Sequence, residues 1–367
     1  MDSLTQITFG AACGEAVLGR KVGRKALAWG AFLGTLPDLD VLIPSGGAVD
    51  AFVYHRGFSH SVFLLALLSP FAAWFITKIH PQTRKHLKQW LFLCFVVLET
   101  SVLLDFFTVY GTQIFWPFNT TPQAWPIFFI IDPFFTLPIL SGVLTALLIK
   151  KNRLLGHRLN TIGLGLSVAY FIWAFGAGEF VKDRATEKLA RRNISYHRFI
   201  CSPAPFTTFL WRIVGLDNNE YFETYSSVFD GDAPLFIHHH PRNLELIRGL
   251  EGHPPVVKLR SFTRGYYAFS RKGDHIVMTD LRMGAEPDYV FRFKVARVEN
   301  SRAVPIRDER LKTGLDPRSL TWVWKRIWAP MPPPRLTSEK AASCSKGIFG
   351  KPYLLNSRHA IFLAQCE

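Results

Sequence analysis

Long apolar runs dominate the first half of the chain and are missing from the second. Each approaches the roughly 20 residues that cross the hydrocarbon core of a bilayer. These runs cover residues 61–76, 90–107, 127–149 and 161–181. Two further apolar segments, 3–18 and 26–43, precede them and are interrupted by acidic residues. Segment 3–18 fits a short span or a re-entrant or interfacial helix equally well. The pattern predicts an α-helical membrane bundle of about six helices.

After residue 181 charges recur every few positions, and polar and apolar residues begin to alternate. Residues 182–198 predict a charged amphipathic helix, and the alternation that follows is typical of half-buried antiparallel strands. We expect strands within 221–229, 256–284 and 288–299, a hairpin turn at "SRKGDH", and an exposed turn at the histidines 238–240. The expected fold is therefore a membrane bundle followed by a small, mostly antiparallel β (α+β) soluble domain.

These patterns divide the chain into a membrane domain (1–181), a soluble α+β domain (182–330) and a Pro-rich linker with a tail (331–367). Segment 320–330 combines three Trp with Lys and Arg, which fits either a helix on lipid headgroups or a core helix with a basic face. Disulfides persist in oxidising compartments. If the part of the chain after residue 181 is exported, a bridge can form among its three cysteines, Cys201, Cys344 and Cys366. We expect it between Cys344 and Cys366, leaving Cys201 free.

The formal net charge of +15 is concentrated in alternate links between the apolar runs. Residues 20–25, 78–89 and 150–160 each carry four Lys or Arg, whereas 44–60 carries only Arg56 and 109–127 carries none. The positive-inside rule then places the basic links in the cytoplasm. The other links and the C-terminal domain are expected on the outer, periplasmic side. Because this charge reports topology, we expect no direct binding to nucleic acid.

Polar residues collect at the outer ends of four predicted helices. Asp38 and Asp40 lie in "PDLD", His55 and His60 lie in "HRGFSHS", and Asp105 closes the fourth helix. Carboxylates at a membrane boundary are costly and usually find partners inside a bundle. A mixed His/Asp set suits Zn, Mn or Fe better than Ca, with Zn or Mn expected first, and it can hold one or two ions. Such an ion lowers the pKa of a bound water toward neutrality.

Two further residues are candidates for catalysis. Arg56 stands beside a predicted helix start at Ser59, and a guanidinium there would steady an anionic group such as phosphate. Asp132 opens the fifth helix on the same predicted face. Asp132 also has a structural interpretation, because Asp followed by Pro is common at helix starts. A DxD pair or two loop histidines can likewise be structural alone, and it is their joint placement that favours a site.

At these residues the sequence resembles the bacterial family of membrane-bound metal-dependent hydrolases, whose members are also described as inner-membrane proteins that bind the SOS-response repressor. The resemblance covers most of residues 1–145 and rests on "MDSLTQITFGAA", "GTLPDLD", "HRGFSHS", "LLDFFTVYGTQIFWPF" and "IDPFFTLP". It implies a multi-helix protein of the bacterial inner membrane and metal-dependent hydrolysis. The residues it implicates are Asp38, Asp40, His55, His60 and Asp105.

Two positions depart from the family pattern, because Gln6 and Ser101 stand where many members have histidine. This difference is compatible with a smaller site, with replacement by Glu15 or Glu99, or with a relative that has no catalytic activity.

The leading hypothesis is a metal-dependent hydrolase in the inner membrane. Its substrate would be an anionic phosphoester, including a lipid-linked one, at the outer face of that membrane. Its expected partners are the lipid bilayer, that substrate and one or two divalent ions, Zn or Mn. The alternative is a non-enzymatic regulatory protein, in which the basic loops bind a cytosolic repressor and the metal is structural. A transporter is disfavoured, because the polar residues gather at one boundary and do not follow a path through the bundle.

Overall fold

The first 191 residues fold mainly as helices, and the remainder folds mainly as antiparallel strands. The computed structural model describes residues 1–149, 152–300, 302–312 and 317–333. The helices are α1 (Ser3–Gly14), α2 (Arg20–Val22), α3 (Arg24–Thr35), α4 (Ala48–Tyr54), α5 (Val62–Ile79), α6 (Leu87–Phe106), α7 (Pro133–Leu148), α8 (Arg153–Arg191), α9 (Pro254–Phe262) and α10 (Pro317–Trp328). Short 3-10 turns occupy Leu36–Leu42, Phe58–His60, Pro81–His86 and Leu244–Ile247, and a π-helical turn occupies Glu15–Gly19.

Six helices correspond to the six predicted apolar segments, namely α1, α3, α5, α6, α7 and α8. Within the described residues, three stretches are long and apolar enough to cross a membrane: Val62–Ile79, Pro81–Phe106 and Arg153–Arg191. α7 is apolar but shorter, with 16 residues. The helical membrane half and the antiparallel second half confirm the expected fold class.

The prediction that Asp132 opens the fifth helix is confirmed, because the helix begins at Pro133 and Asp132 caps it by accepting from the backbone N–H groups of Phe134 and Phe135. Two other predicted boundaries were wrong. The third membrane helix is capped by Ser61, whose side chain accepts from Leu64 N, and Ser59 lies in the preceding 3-10 turn. The sixth apolar run and the charged segment after it form one helix, α8, that ends at Arg191.

α1 and α3 pack unusually closely, because small residues face each other. A Cβ built on Gly10 would lie 2.1 Å from the carbonyl oxygen of Gly30, and one built on Gly34 would lie 2.5 Å from Gln6 O. Such small-residue contacts let the backbones of membrane helices approach each other. The close approach brings the end of α3, and the turn Leu36–Leu42 after it, beside the start of α1.

In the described part of the second half there are two four-stranded antiparallel sheets and a two-stranded ribbon. The sheet orders are β1-β2-β3-β4, β10-β9-β6-β5 and β7-β8. The strands are β1 (Arg198–Pro203), β2 (Leu210–Leu216), β3 (Glu220–Ser227), β4 (His238–Pro241), β5 (Tyr267–Lys272), β6 (His275–Asp280), β7 (Gly284–Ala285), β8 (Asp288–Tyr289), β9 (Arg292–Glu299) and β10 (Arg302–Arg310).

The predicted hairpin is confirmed, since β5 and β6 pair with Lys272 opposite His275. Two other expectations were wrong. Residues 238–240 lie in β4, where their backbone pairs with β3. The start of the predicted strand run 256–284 is helix α9, which begins with two prolines and buries Val256, Leu259 and Phe262 on one face.

The loops of the membrane half that carry few charges pack against the second half. Val49 and Phe52 of α4 and Tyr110 share a buried core with residues of α9, β5, β6 and β9. Lys258 pairs with Asp50 at 2.5 Å. The links predicted to lie outside the cell and the C-terminal region are therefore on the same side of the bundle. Whether that side is periplasmic stays a prediction from the charge pattern.

α10 packs against the central strands β2 and β3 of the first sheet, where Val323 and Ile327 contact Leu210 at the start of β2. Arg326 is buried and forms an ion pair with Asp230 at 2.6 Å. Of the two interpretations of segment 320–330, the structure favours a helix that packs on the core. Cys201 is a free thiol. Cys344, Cys366 and most of the predicted tail lie outside the described residues.

Candidate metal centre

Three of the predicted ligands converge at the end of the bundle that faces the C-terminal region. They are Asp38 in the turn after α3, His60 in the turn before α5, and Asp105 in the last turn of α6. One ligand atom from each lies within 4.8 Å of the other two. His60 Nε2 lies 3.2 Å from both Asp38 Oδ1 and Asp105 Oδ2. An imidazole nitrogen with two carboxylate oxygens is a donor set that Zn or Mn accepts.

Backbone hydrogen bonds hold the histidine turn in place. Gln113 N donates to Arg56 O at 3.0 Å, and Val62 N donates to Ile114 O at 3.1 Å. The Ser61 hydroxyl donates to Trp116 O at 2.5 Å. Arg56 itself has a φ of 64°, in the left-handed region that L-residues seldom adopt. The segment after α6 therefore fixes the turn that carries His60, so that His60 meets the end of that same helix.

The other two predicted ligands form a neighbouring pair. His55 Nδ1 lies 2.8 Å from Asp40 Oδ1, and Asp40 Oδ2 accepts from Ser59 Oγ at 2.7 Å and from Arg56 N at 2.9 Å. Ser59 Oγ is also 2.9 Å from His60 Nδ1. Asp40 and Ser59 therefore connect His55 to His60. Because Ser59 donates to Asp40, its Oγ accepts from His60 Nδ1, and this hydrogen bond orients the imidazole of His60, as outer partners of metal-ligating histidines do.

Charges and burial act in opposite directions on the ionisable groups of these turns. Burial alone would lower the pKa of His60, but hydrogen bonds to Asp105 and Asp38 outweigh it and raise that pKa above its ordinary value. Burial would raise the pKa of Asp40, but the contacts with His55, Ser59 and the backbone of Arg56 lower it. The lowered pKa of Asp40 favours the charged carboxylate, which attracts cations.

Arg56 is buried and contacts Asp105 rather than lying open to an incoming anion. Its Nη2 lies 2.8 Å from Asp105 Oδ1, its Nη1 donates to Thr108 Oγ1 at 3.3 Å, and its guanidinium lies over the ring of Tyr110 at 5.0 Å. The Met1 amino group contacts the same carboxylate oxygen. The two oxygens of Asp105 have separate partners, because Oδ1 faces the cations and Oδ2 faces His60.

Gln6, at one of the two positions that depart from the family pattern, is part of this centre. Gln6 Nε2 donates to Asp105 Oδ2 at 3.0 Å and approaches Ser101 O, at the other departing position, at 3.5 Å. Its Oε1 is buried and has no hydrogen-bond partner among the described residues. An unpaired buried acceptor beside two carboxylates and an imidazole fits a bound cation. The donors present thus fit a divalent metal.

Asp132 lies outside this group. Its contacts are the helix-capping bonds and a hydrogen bond from the Tyr170 hydroxyl at 3.0 Å. The two glutamates considered as replacement ligands also lie elsewhere. Glu15 pairs with His157 at 3.5 Å, and Glu99 does not join the group found among the described residues. The structure therefore gives Asp132 a capping role, and a catalytic role for it stays a prediction.

The centre is deep, with a polar opening beside exposed apolar residues. The His60 and Asp105 side chains are fully buried, whereas those of Asp38 and His55 are 13% and 23% exposed. The residues after Asp40 are exposed and apolar, and Phe58 of the histidine turn is exposed as well. They include Val41, Leu42 and Ile43. A ligand would reach the centre past Asp38 and His55, next to a surface suited to lipid.

Residues 1–180 match the family model described as YdjM inner membrane protein. No curated protein and no solved structure matches the chain. The matched region includes α1 to α7, most of α8 and all of the residues that converge at the centre. Together with the three stretches able to cross a membrane, the match identifies the chain as an inner-membrane protein whose first 180 residues are similar to the YdjM family.

Proposed function

We propose that this protein is a metal-dependent hydrolase of an anionic phosphoester, acting at the outer face of the inner membrane. The observation that carries the proposal is the convergence of Asp38, His60 and Asp105 within 4.8 Å. These residues come from three separate elements and meet at the boundary of the apolar bundle. Asp105 is buried and Asp38 is largely buried, and withdrawing carboxylates from water costs free energy that cations offset. Arg56 and the Met1 amino group contact Asp105, whereas a bound metal would add positive charge beside Asp38.

A divalent metal held by these three residues would supply Lewis-acid activation of water and of a phosphoryl group. The protein's own residues then have distinct tasks. Ser59 and Asp40 orient His60, while Arg56 balances the charge of Asp105 through Oδ1. His55 is the partly exposed group at the opening, where it can contact an incoming substrate or hold a second ion with Asp40.

The exposed apolar side chains beside the opening favour a substrate with a lipid part. Val41, Leu42 and Ile43 follow Asp40 directly in the same turn. These exposed apolar side chains lie at the boundary of the apolar bundle. The acyl part of a lipid-linked phosphoester can therefore stay in the apolar layer of the membrane while its phosphate reaches Asp38. This arrangement supports a phosphoester at the membrane surface over a small soluble one.

The test is hydrolysis by the full chain purified in detergent. We expect activity on aryl phosphomonoesters or diesters that is lost with a chelator and restored by Mn²⁺ or Zn²⁺. Asp38→Asn should abolish this activity, whereas Asp232→Asn, at an exposed aspartate of the C-terminal region, should leave it unchanged. Activity that survives the chelator and the Asp38 substitution alike would overturn the proposal.

A non-enzymatic role is the second candidate, favoured by the complete burial of His60 and Asp105 and by Gln6 and Ser101 beside them. The metal would then be structural. Arg24 Nη2, in the first basic link, donates to Leu147 O near the end of α7 at 2.6 Å. The basic links between the helices would bind a cytosolic repressor. If neutralising the basic links abolishes repressor binding and Asp38→Asn leaves it intact, this role is supported. If neither change alters repressor binding, this role is excluded.

A further inference from the structure

A second site lies apart from the metal centre, in a cavity of about 370 Å³ where α8 leaves its apolar stretch. One wall is a single face of α8, formed by Phe175, Gly178, Glu179 and Lys182. These positions follow helical spacing. The other walls come from the segment before α7 and from the β-rich region. The cavity therefore straddles the end of a membrane helix and the region beyond it.

Cations line the part of the cavity contributed by the β-rich region. Arg198 and Arg264 are exposed, and Arg198 Nη1 donates to Arg264 O at 2.9 Å, which keeps the two residues together. Among the described residues, neither guanidinium pairs with a carboxylate. Lys182 adds a third positive charge and has Glu179 as a partner at 3.2 Å. The cavity keeps a net positive charge, which attracts an anion.

Aromatic side chains line the part nearest the membrane helix. Trp125 and Phe175 pack edge to face with ring centroids 5.3 Å apart, although they are 44% and 38% exposed. A tryptophan such as Trp125 is typical of the membrane–water interface, because its ring is apolar and its indole N–H is polar. The cavity thus offers an apolar entrance from the membrane side and cations beyond it.

We propose that this cavity binds the headgroup of an anionic phospholipid. The phosphate would lie against Arg198 and Arg264, and the acyl chains would pass Trp125 and Phe175 into the bilayer. Basic pockets at helix ends bind anionic lipid headgroups for the same electrostatic reason. The proposal requires neither the metal nor hydrolysis, so it stands or falls separately from the proposed function.

The experiment measures lipid binding to the full chain in detergent by calorimetric titration. The probes are dihexanoyl phosphatidylglycerol kept below its micelle concentration, dihexanoyl phosphatidylcholine, and sn-glycerol 3-phosphate. We expect phosphatidylglycerol to bind at least about tenfold more tightly than either of the others, since only it has both the net negative charge and the acyl chains. Equal binding of glycerol phosphate would show a site for soluble phosphate and overturn the lipid assignment.

Charge-matched variants locate the binding. Arg198→Gln with Arg264→Gln should weaken phosphatidylglycerol binding by about 30-fold, the loss expected for two cations near a membrane surface. Arg248→Gln with Arg271→Gln removes the same charge from exposed positions outside the cavity, and we expect no change. If the double variant of Arg198 and Arg264 fails to fold, Lys182→Gln provides the test and should weaken phosphatidylglycerol binding about fivefold. Equal loss in the cavity and control variants would overturn the proposal.

Discussion

His60 Nε2 lies 3.2 Å from Asp105 Oδ2, at the point where the turn before α5 meets the last turn of α6. Both side chains are fully buried. α5 and α6 are joined by a short basic link at the opposite end, so they run antiparallel and bring these residues together. The contact therefore depends on the folded helical pair, and any metal held there also ties α3, through Asp38, to that pair.

Arg56 should matter for stability as well as for activity. Arg56→Ala would leave Asp105 buried with less positive charge around it. Removing one partner of such a buried pair lowers the free energy of unfolding by about 3–5 kcal/mol. Arg56→Lys keeps the charge and should cost much less. The melting temperature of the purified protein measures both effects. Equal melting temperatures for wild type and Arg56→Ala would show that the pair contributes nothing.

His55 and His60 should differ in their effect on bound metal. His60 lies between two carboxylates, whereas His55 contacts Asp40 outside that group. We expect His55→Ala to retain at least one divalent ion per chain and His60→Ala to retain none, as measured by elemental analysis. A protein with two ions should lose one of them in His55→Ala. Loss of all metal in His55→Ala would make His55 part of the primary site.

Asp230 should anchor α10 to the first sheet. Asp230→Ala leaves the buried guanidinium of Arg326 without its carboxylate, and we expect a destabilisation of about 3 kcal/mol or more. The control is Glu187→Ala, which removes the exposed partner of Arg191 and should change stability by less than about 1 kcal/mol. Chemical unfolding followed by tryptophan fluorescence compares the two. Similar midpoints would contradict the anchoring role.

The orientation of the chain can be tested with reporters fused after Arg84, Asn152 and Ser195. The first two positions belong to the basic links, and the third follows α8. We expect cytoplasmic behaviour from the first two and exported behaviour from the third. A cytoplasmic signal after Ser195 would move the metal centre to the cytoplasmic face, since that centre lies on the same side as the C-terminal region.

Much of the membrane half could be predicted because its signals are local. Apolar runs of sufficient length specify helices such as α5 and α6. Asp38, His60 and Asp105 stood out because charged or polar residues at the ends of such runs need partners. The start of α9 was missed although Pro254 and Pro255 signal a helix start, because the β-branched residues that follow resemble a strand.

Other features depend on contacts that no local pattern contains. The burial of Arg56 follows from its left-handed backbone and from the positions of Asp105 and Tyr110, which belong to another part of the chain. The close packing of Gly10 on Gly30 sets where Gln6 lies, and only the folded pair shows that Gln6 contacts Asp105. Tertiary packing therefore decided the details of the centre.

Whether Asp38, His60 and Asp105 hold a metal is measured directly by the divalent metal content of the full chain, purified in detergent without a metal-affinity tag. We expect at least one Zn or Mn ion per chain in the wild type and none in Asp38→Asn or His60→Ala. His197→Ala, at an exposed histidine beside β1, should keep the wild-type content. A wild type that binds no metal when Zn²⁺ or Mn²⁺ is supplied, or cluster variants that keep the full content, would contradict the account.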